Sequence, residues 1–391
     1  MIPIISVLIP SRNRASYLAS LISIIESCSD ERIEFLISDN SDVPGHNSDN
    51  LANAKFFRPD SVLNMTDHWN YLLDKATGQY VTYIGDDDAF IPTSLRNLCD
   101  ILQNQGPDIV WTQTAGYGWP ANGAHGNFFQ EITPNNKRLN LDEARIEILS
   151  LKSVDLPIPY NYALVRREII LSFLKHNPGE NFFSSRVPDI NGGVKTLFLA
   201  QSQFEYPRLT FISGASALSN GLLTRTNQSH PAALEFNNPD FNPVRIRHKS
   251  QNSEVSPFGF MTYFEAIEES LLQLNMEVLA APRRLAFRSV FQSSYPSQQL
   301  GISLRIWPSH PIATRIGYWI RTLLDVEICR FISSKFKLLT LGARILFQRV
   351  KIVIIHGPGI QDTSRLVKYL EGNQSRLEGR SIIKIRVAEF D

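Results

Sequence analysis

Residues Tyr80 to Phe90 read YVTYIGDDDAF. The first half is β-branched and aromatic, the composition of a strand in a sheet. It runs through Gly85 into three consecutive carboxylates, Asp86, Asp87 and Asp88. Adjacent aspartates repel one another unless positive charge sits among them. If the chain stays extended, alternation puts Asp86 and Asp88 on one side and Asp87 on the other. That is a D-x-D pair at a strand end, an oxygen site suited to Mg²⁺ or Mn²⁺, which keep open positions for substrate phosphates. The same residues also suit a polar loop whose aspartates cap a helix starting at Pro92-Thr93-Ser94.

Working outward toward the N-terminus, Ile4 to Ile9 is a continuous apolar run ending at Pro10, as in a buried parallel strand. Ser11-Arg12-Asn13-Arg14 follows, and Tyr17, Leu18, Leu21, Ile22 and Ile25 then recur at helical spacing. Ile33 to Ile37 is a second apolar run, ending in Ser38-Asp39-Asn40-Ser41-Asp42. Strand, polar tip, helix, strand, polar tip opens a βαβ unit with a parallel sheet. Ligands of such sheets bind outside the carboxyl ends of the strands. Both polar tips and the aspartate cluster therefore belong on one edge. Thr66 to Ala76 is patterned as a helix with Trp69, Leu72 and Leu73 inward, and Gly78 suits its C-cap.

Beyond the aspartates, Pro92 to Gln103 reads as a helix and Asp108 to Trp111 as a short buried strand. Gln113 to Asn140 is rich in Gly, Asn, Pro and aromatics and reads as a long insertion or hairpin. Leu141 to Leu151 is helical, Tyr160 to Val165 a strand, and Arg166 to Lys175 a helix. An apolar helix follows Gly192-Gly193, and Phe204 to Ile212 has a strand's texture, with Pro207 marking an edge or a bend. Ser219 to Gln251 is polar and Pro-rich, the best boundary candidate.

Composition bounds the rest. The chain has 391 residues, 43% hydrophobic and 20% charged, with a formal net charge of +1. This is an ordinary globular profile with no global pull toward nucleic acid. Cys28, Cys99 and Cys329 lie far apart without metal-ligand spacing and read as buried thiols in a reducing compartment. The apolar N-terminus lacks a basic flank and a small-residue cleavage site, so no signal peptide is expected. No uninterrupted apolar stretch of about 18 residues occurs, so no membrane span is expected either.

The segments ISVLIPSRNRASYLASLISII, FLISDNSD and ATGQYVTYIGDDD, in that order and spacing, resemble family 2 of the nucleotide-sugar glycosyltransferases. The resemblance covers about residues 3 to 112 and extends more loosely to about 215. It implies the GT-A fold: an α/β domain with a mixed, mostly parallel sheet flanked by helices, here with a C-terminal helical extension. The implied division is 1–235 for the GT-A domain and 236–391 for a mainly helical C-terminal region. Within the domain, 1–112 would be the nucleotide-sugar half and 113–235 the acceptor half.

Pro10, Arg12, Asn13 and Arg14 match the family's first loop, beside the nucleotide. Asp39 matches the acidic residue that contacts base or ribose, although an Asx-turn at a strand end would also use it. Asp86 and Asp88 match the D-x-D pair on the metal and ribose, with Asp87 between them. Asp189, in Val187-Pro188-Asp189-Ile190, resembles the late acidic residue that acts as general base, although it also suits a helix N-cap. The implied reaction inverts the anomeric centre of a nucleoside-diphosphate sugar in one displacement. The implied cofactor is Mg²⁺ or Mn²⁺, and the acceptor a saccharide or a lipid-linked one, in cell-surface polysaccharide or glycolipid synthesis.

The Gln-x-x-Arg-Trp signature of processive members does not follow Asp189, which speaks against a polymer-extruding synthase. His230, in a polar loop, is a weaker candidate for the phosphates or metal. His176 and Glu205 have only proximity in sequence. A sugar nucleotidyltransferase would want glycine in the first loop, where Pro10-Ser11-Arg12-Asn13-Arg14 has none. A non-catalytic nucleotide-sugar-binding protein would not need all the aspartates. A dinucleotide enzyme would show G-x-G-x-x-G after Ile9. Finally, Tyr318 to Val350 is dense in apolar and basic residues, with only Asp325 and Glu327 acidic. Such helices can lie in an anionic membrane interface or pack on the domain with their arginines in water. The expected location is cytoplasmic, peripheral on the inner face of a membrane.

Overall fold

A computed structural model describes residues 2–43, 51, 53–103, 106–120, 126–132, 139–149, 155–219, 234–235, 238, 260–276, 351–356, 358–373 and 382–386. The chain opens β1 (Ile5–Ser11), α1 (Ala15–Glu26), β2 (Ile33–Asp39), β3 (Ala54–Phe57), α2 (Met65–Leu73) and β4 (Tyr80–Tyr83). Strands β3, β2, β1 and β4 lie side by side, all parallel. The apolar runs of β1 and β2 are buried throughout, as a strand covered on both faces requires. Helix α1 turns Leu18, Leu21, Ile22, Ile24 and Ile25 into one core, and α2 turns Trp69, Leu72 and Leu73 into another.

Gly78 does not end α2, which stops at the cap residue Asp74. It lies against β1 instead, where a Cβ would sit 2.6 Å from Ser6 Oγ and 2.8 Å from the Ser6 nitrogen. Close approach of the loop backbone to β1, not a helix cap, requires glycine here.

The second half is mixed. β5 (Ala89–Phe90) and α3 (Pro92–Leu102) follow the aspartates, with Pro92 in the first turn as expected. β6 (Ile109–Gly118) and β7 (Asn127–Ile132) form the hairpin anticipated in the Gly- and Asn-rich stretch. After α4 (Leu141–Leu149), β8 (Ala163–Arg166) inserts antiparallel between β4 and β6. Then come α5 (Arg167–His176), α6 (Pro188–Leu199) and β9 (Gln203–Ala215), which pairs with β5 and β6. The β6–β9 register slips between Trp111↔Glu205 and Gln113↔Leu209. Pro207 falls in this bulge, where its missing N–H costs no ladder bond. The result is an α/β architecture with a mixed sheet, as expected of the GT-A type, its parallel pairing concentrated among β1 to β4.

The C-terminal part is helical at α7 (Phe260–Gln273) and α8 (Thr363–Gly372), but it also contributes strands. β10 (Lys351–His356) runs antiparallel to β7, and β11 (Ile382–Arg386) runs parallel to β10. Ile355, Ile360, Leu366, Val367 and Leu370 join the same core as α1 and β1. Ser20 Oγ lies 2.9 Å from Thr363 Oγ1 and accepts from the Ser364 N–H at 3.0 Å. Glu371 accepts from the Thr93 N–H at 3.2 Å, satisfying a free donor at the start of α3. Residues 351–372 thus brace the helix that follows the aspartate cluster. The amphipathic stretch Tyr318 to Val350 lies outside the described residues.

Candidate active site

The carboxyl ends of β1, β2 and β4 share one edge, as chain order requires. Ser11 pairs with Asp39, and its hydroxyl donates to Asp86 Oδ2 at 2.7 Å. Pro10 is the penultimate residue of β1, opposite Ser38. Asn13 has φ 56°, in the left-handed region that asparagine tolerates. Its backbone N–H donates to Ser41 Oγ at 2.7 Å, its amide donates to Asp42 Oδ2 at 2.9 Å, and its Oδ1 accepts from the Asp42 N–H at 3.1 Å. Asn13 therefore locks the first tip to the second.

The two arginines diverge. Arg12 ion-pairs with Asp42 at 3.2 Å and with Glu235. Arg14 turns into the aspartates, 2.9 Å from Asp86 Oδ1 and 3.5 Å from Asp87 Oδ1, and also donates to the Leu218 carbonyl. Burial works against the Arg14 charge, but Asp86 and Asp87 outweigh it and hold the guanidinium protonated. Asp39 accepts from the Ser41 N–H at 3.0 Å, the Asx-turn arrangement, and pairs with Arg58 at 3.4 Å.

The aspartates do not alternate. The Asp88 N–H donates to the Gly85 carbonyl at 3.2 Å, so the chain turns instead of extending. This corrects the expectation that Asp86 and Asp88 share a side: it is Asp86 and Asp87 that converge on Arg14. Asp87 Oδ2 accepts from Ser216 and Ser219, each at 2.6 Å. Asp88 folds back to accept from Gly85 N–H at 2.5 Å, Gly214 N–H at 2.7 Å and Asn161 Nδ2 at 2.7 Å. A Cβ on Gly214 would fall 1.8 Å from the Asp87 carbonyl, so only glycine lets β9 come this close.

All three carboxyls are buried. Burial pushes Asp86 up to about 6, with Arg14 opposing and Asp87 assisting. Burial and the charge of Asp87 push Asp88 upward as well. One guanidinium stands beside three buried carboxyls, whose remaining partners are neutral hydrogen-bond donors.

Asp189 stands in the first turn of α6, one residue past Pro188; the cap position itself is Val187. It is thus not the N-cap, although the helix N-terminus favours its charge. Part of its surface is open, yet burial of the carboxyl pushes it up to about 6 against the Ile190 and Asp189 N–H groups. The adjoining glycines lie inside α6 and not before it. A Cβ on Gly192 would meet Phe183 at 2.5 Å, so Gly192 lets the helix press on the 182–184 segment. That segment is held from α2, where Asn70 exchanges two hydrogen bonds with the Phe183 backbone at 2.8 and 3.1 Å.

Between Asp88 and Asp189 lies Tyr160-Asn161-Tyr162, which sequence reasoning took only for the start of a strand. The Tyr160 phenol is raised by burial, then by Asp88 and Asp87. The Tyr162 ring is 45% exposed, and its phenol is raised by burial and then by Asp88 and Asp189 together. This tripeptide links the aspartate cluster to the late acid. Pro157 and Pro159, just before it, are turn-forming residues, but nothing in the sequence names a partner for Asn161. His176 hydrogen-bonds the Ser172 carbonyl at the end of α5, Glu205 faces solvent on β9, and His230 lies outside the described residues.

Solved structures of TarS from S. aureus resemble this fold loosely. For TarS 1-349 in complex with UDP-GlcNAc, identity is 14% and the TM-score 0.44, over 83% of this chain and 80% of that one. For TarS itself the values are 13% and 0.41, over 77% and 54%. At these values neither likeness bears on what this chain binds. A search of curated protein sequences finds no match. The model of the family described as glycosyl transferase family 2 matches residues 6–170, which span β1 to β8 and contain the first loop, Asp39 and all three aspartates. Through that region, the chain is similar to glycosyl transferase family 2.

Proposed function

We propose that this protein is an inverting, metal-dependent glycosyltransferase that moves one sugar from a nucleoside-diphosphate sugar to an acceptor hydroxyl. The observation that carries the reading is the strand end where Asp86, Asp87 and Asp88 are buried and Arg14 pairs with the first two, together with Tyr162, whose phenol feels the charge of both Asp88 and Asp189. In this reading Pro10, Arg12, Asn13, Arg14 and Asp39 line the nucleotide. Asp189 takes the proton of the acceptor hydroxyl as that oxygen attacks the anomeric carbon. A carboxyl lifted to about 6 is ionised at neutral pH and more basic than an ordinary aspartate, which suits a general base.

The carboxylate cluster suits Mg²⁺ or Mn²⁺. It is oxygen-only and buried, and burial raises Asp86 and Asp88. Among the described residues no three metal-ligating side chains form a closed cage. Asp86 and Asp88 would therefore supply one or two ligands, and diphosphate and water the rest, which is ordinary for Mg²⁺. When bound, the cation would offset charge gathering on the leaving diphosphate.

The test is turnover of a panel of nucleotide sugars with and without Mn²⁺ or Mg²⁺, by wild type and Asp88→Ala. Metal-stimulated transfer lost in the variant is expected; equal transfer by both proteins refutes the mechanism.

The acceptor in this reading is a saccharide or a lipid-linked one in cell-surface polysaccharide or glycolipid synthesis. The enzyme would be cytoplasmic, peripheral on the inner face of a membrane. Among the described residues no helix is long and apolar enough to cross one. Because 351–372 belong to the domain core, deletion from Pro308 onward would damage the enzyme itself. Membrane attachment is better tested by neutralising Arg321, Arg330, Lys335, Lys337 and Arg344 together. Loss of co-sedimentation with anionic liposomes supports it, and unchanged sedimentation removes it.

A further inference from the structure

Asn161 is fully buried and has φ 58°. An unusual backbone state held in a packed setting points to a positional demand. Three contacts hold it there. Its N–H donates to the Tyr83 carbonyl at 3.0 Å, at the end of the strand that leads to the aspartates. Its carbonyl accepts from Thr114 Oγ1. Its amide Nδ2 donates to Asp88 Oδ2 at 2.7 Å. The orientation of that amide follows from chemistry. Asp88 already accepts from the Gly85 and Gly214 N–H groups, so it acts as an acceptor and must face the amide nitrogen, not the oxygen. The amide oxygen therefore points elsewhere, and this buried Oδ1 has no hydrogen-bond partner among the described residues. A buried acceptor left open is costly, about 1–3 kcal/mol, and calls for an occupant.

We propose that Asn161 is the positioning residue of Asp88, and that its open amide oxygen receives a hydrogen bond from a water carried by the divalent cation. The inference rests on the metal reading above, and deepens it by naming a residue that is not itself an acid. A fixed carboxylate presents its lone pairs to the cation without searching for them. An oriented acceptor beside it holds the coordinated water in turn. Groups of this kind typically contribute 10–100-fold to metal affinity.

The experiment measures Mn²⁺ binding to the full chain by electron paramagnetic resonance, alongside thermal unfolding. Asn161→Gly removes the amide but keeps a residue at ease with positive φ. Mn²⁺ affinity should fall on the order of 10–100-fold, with the melting temperature of the metal-free protein nearly kept. Asn161→Asp also tolerates the backbone, but sets a carboxylate against Asp88. It should melt lower without metal and gain more from Mn²⁺ than wild type does. Asp88→Asn separates the two ideas. If Asp88→Asn abolishes binding while Asn161→Gly binds like wild type, the positioning role is wrong and the metal reading stands. If wild type itself binds no Mn²⁺, both fall. A lower melting temperature in either Asn161 variant, with unchanged Mn²⁺ affinity and no extra Mn²⁺ rescue, assigns Asn161 to the fold alone and overturns the proposal.

Discussion

A general base and an aspartate that only stabilises the first turn of α6 make opposite predictions for Asp189→Asn. The folded protein raises this carboxyl from 3.8 to about 6, chiefly through burial. That rise is equivalent to about 3 kcal/mol. Above about pH 6 the group is ionised in both folded and unfolded chains, and the folded state carries the desolvation cost in full. As pH falls from 6 toward 3.8 the folded chain binds a proton before the unfolded chain does, and the cost fades. Asparagine has the same shape and no charge to desolvate. Asp189→Asn should therefore be more stable than wild type at pH 7.5, by about 1–3 kcal/mol once water at the open part of the side chain is allowed for. The gain should shrink toward zero by about pH 4. Turnover should fall on the order of 10²-fold or more, with nucleotide-sugar affinity nearly kept. Urea unfolding at a series of pH values, with kinetics on the same preparations, measures both. A variant that is less stable at every pH and keeps its rate per folded molecule would refute the argument and return Asp189 to a structural role.

Two further outcomes follow from the described structure. His68 is buried against Ser38 Oγ at 2.8 Å and burial lowers it to about 4, so its folded form stays neutral where the unfolded form, at 6.5, is already charged. Stability should drop by up to about 3 kcal/mol as pH falls from 6.5 to 4 and be insensitive to this group above 6.5, and His68→Gln should flatten the slope in that window. Ending the chain after Val350 uncovers the partners of Ile355, Ile360, Leu366, Val367 and Leu370. The loss is on the order of 10 kcal/mol, comparable to the stability of a whole domain, so the shortened chain should show no cooperative melt; a wild-type melt would make the C-terminal strands an appendage.

What the sequence disclosed about this fold follows the range of the interaction involved. The strands β1, β2 and β4 were legible because continuous apolar runs ending in polar tips admit few other structures, and chain order alone put their tips on one edge. The inward faces of α1 and α2 were legible from period, and Asp39 from the local geometry of an Asx-turn. Errors begin where a residue's role depends on a distant backbone. Gly78 looked like a cap because it follows a helix, yet its reason is Ser6, 72 residues away. Gly192 and Gly193 looked like a loop before a helix, yet they lie inside it because Phe183 and Ile158 press on that face. The alternation of Asp86 and Asp88 assumed an extended chain, and one turn at Gly85 redirected all three side chains.

The strands β10 and β11 follow the same rule. They follow a stretch of sequence that reads as helical, and only pairing with β7, more than 200 residues earlier, shows their place in the sheet. For the candidate site the consequence is asymmetric. Its acids could be named from a run of aspartates and one Pro-Asp pair. The groups that aim those acids could not, because they are neutral residues: Ser11, Asn161, Gly214, Ser216 and Ser219. A neutral residue has no signature of its own. Its function is the direction of one hydrogen bond, and that direction exists only once β8 and β9 have folded against the turn that carries Asp86, Asp87 and Asp88.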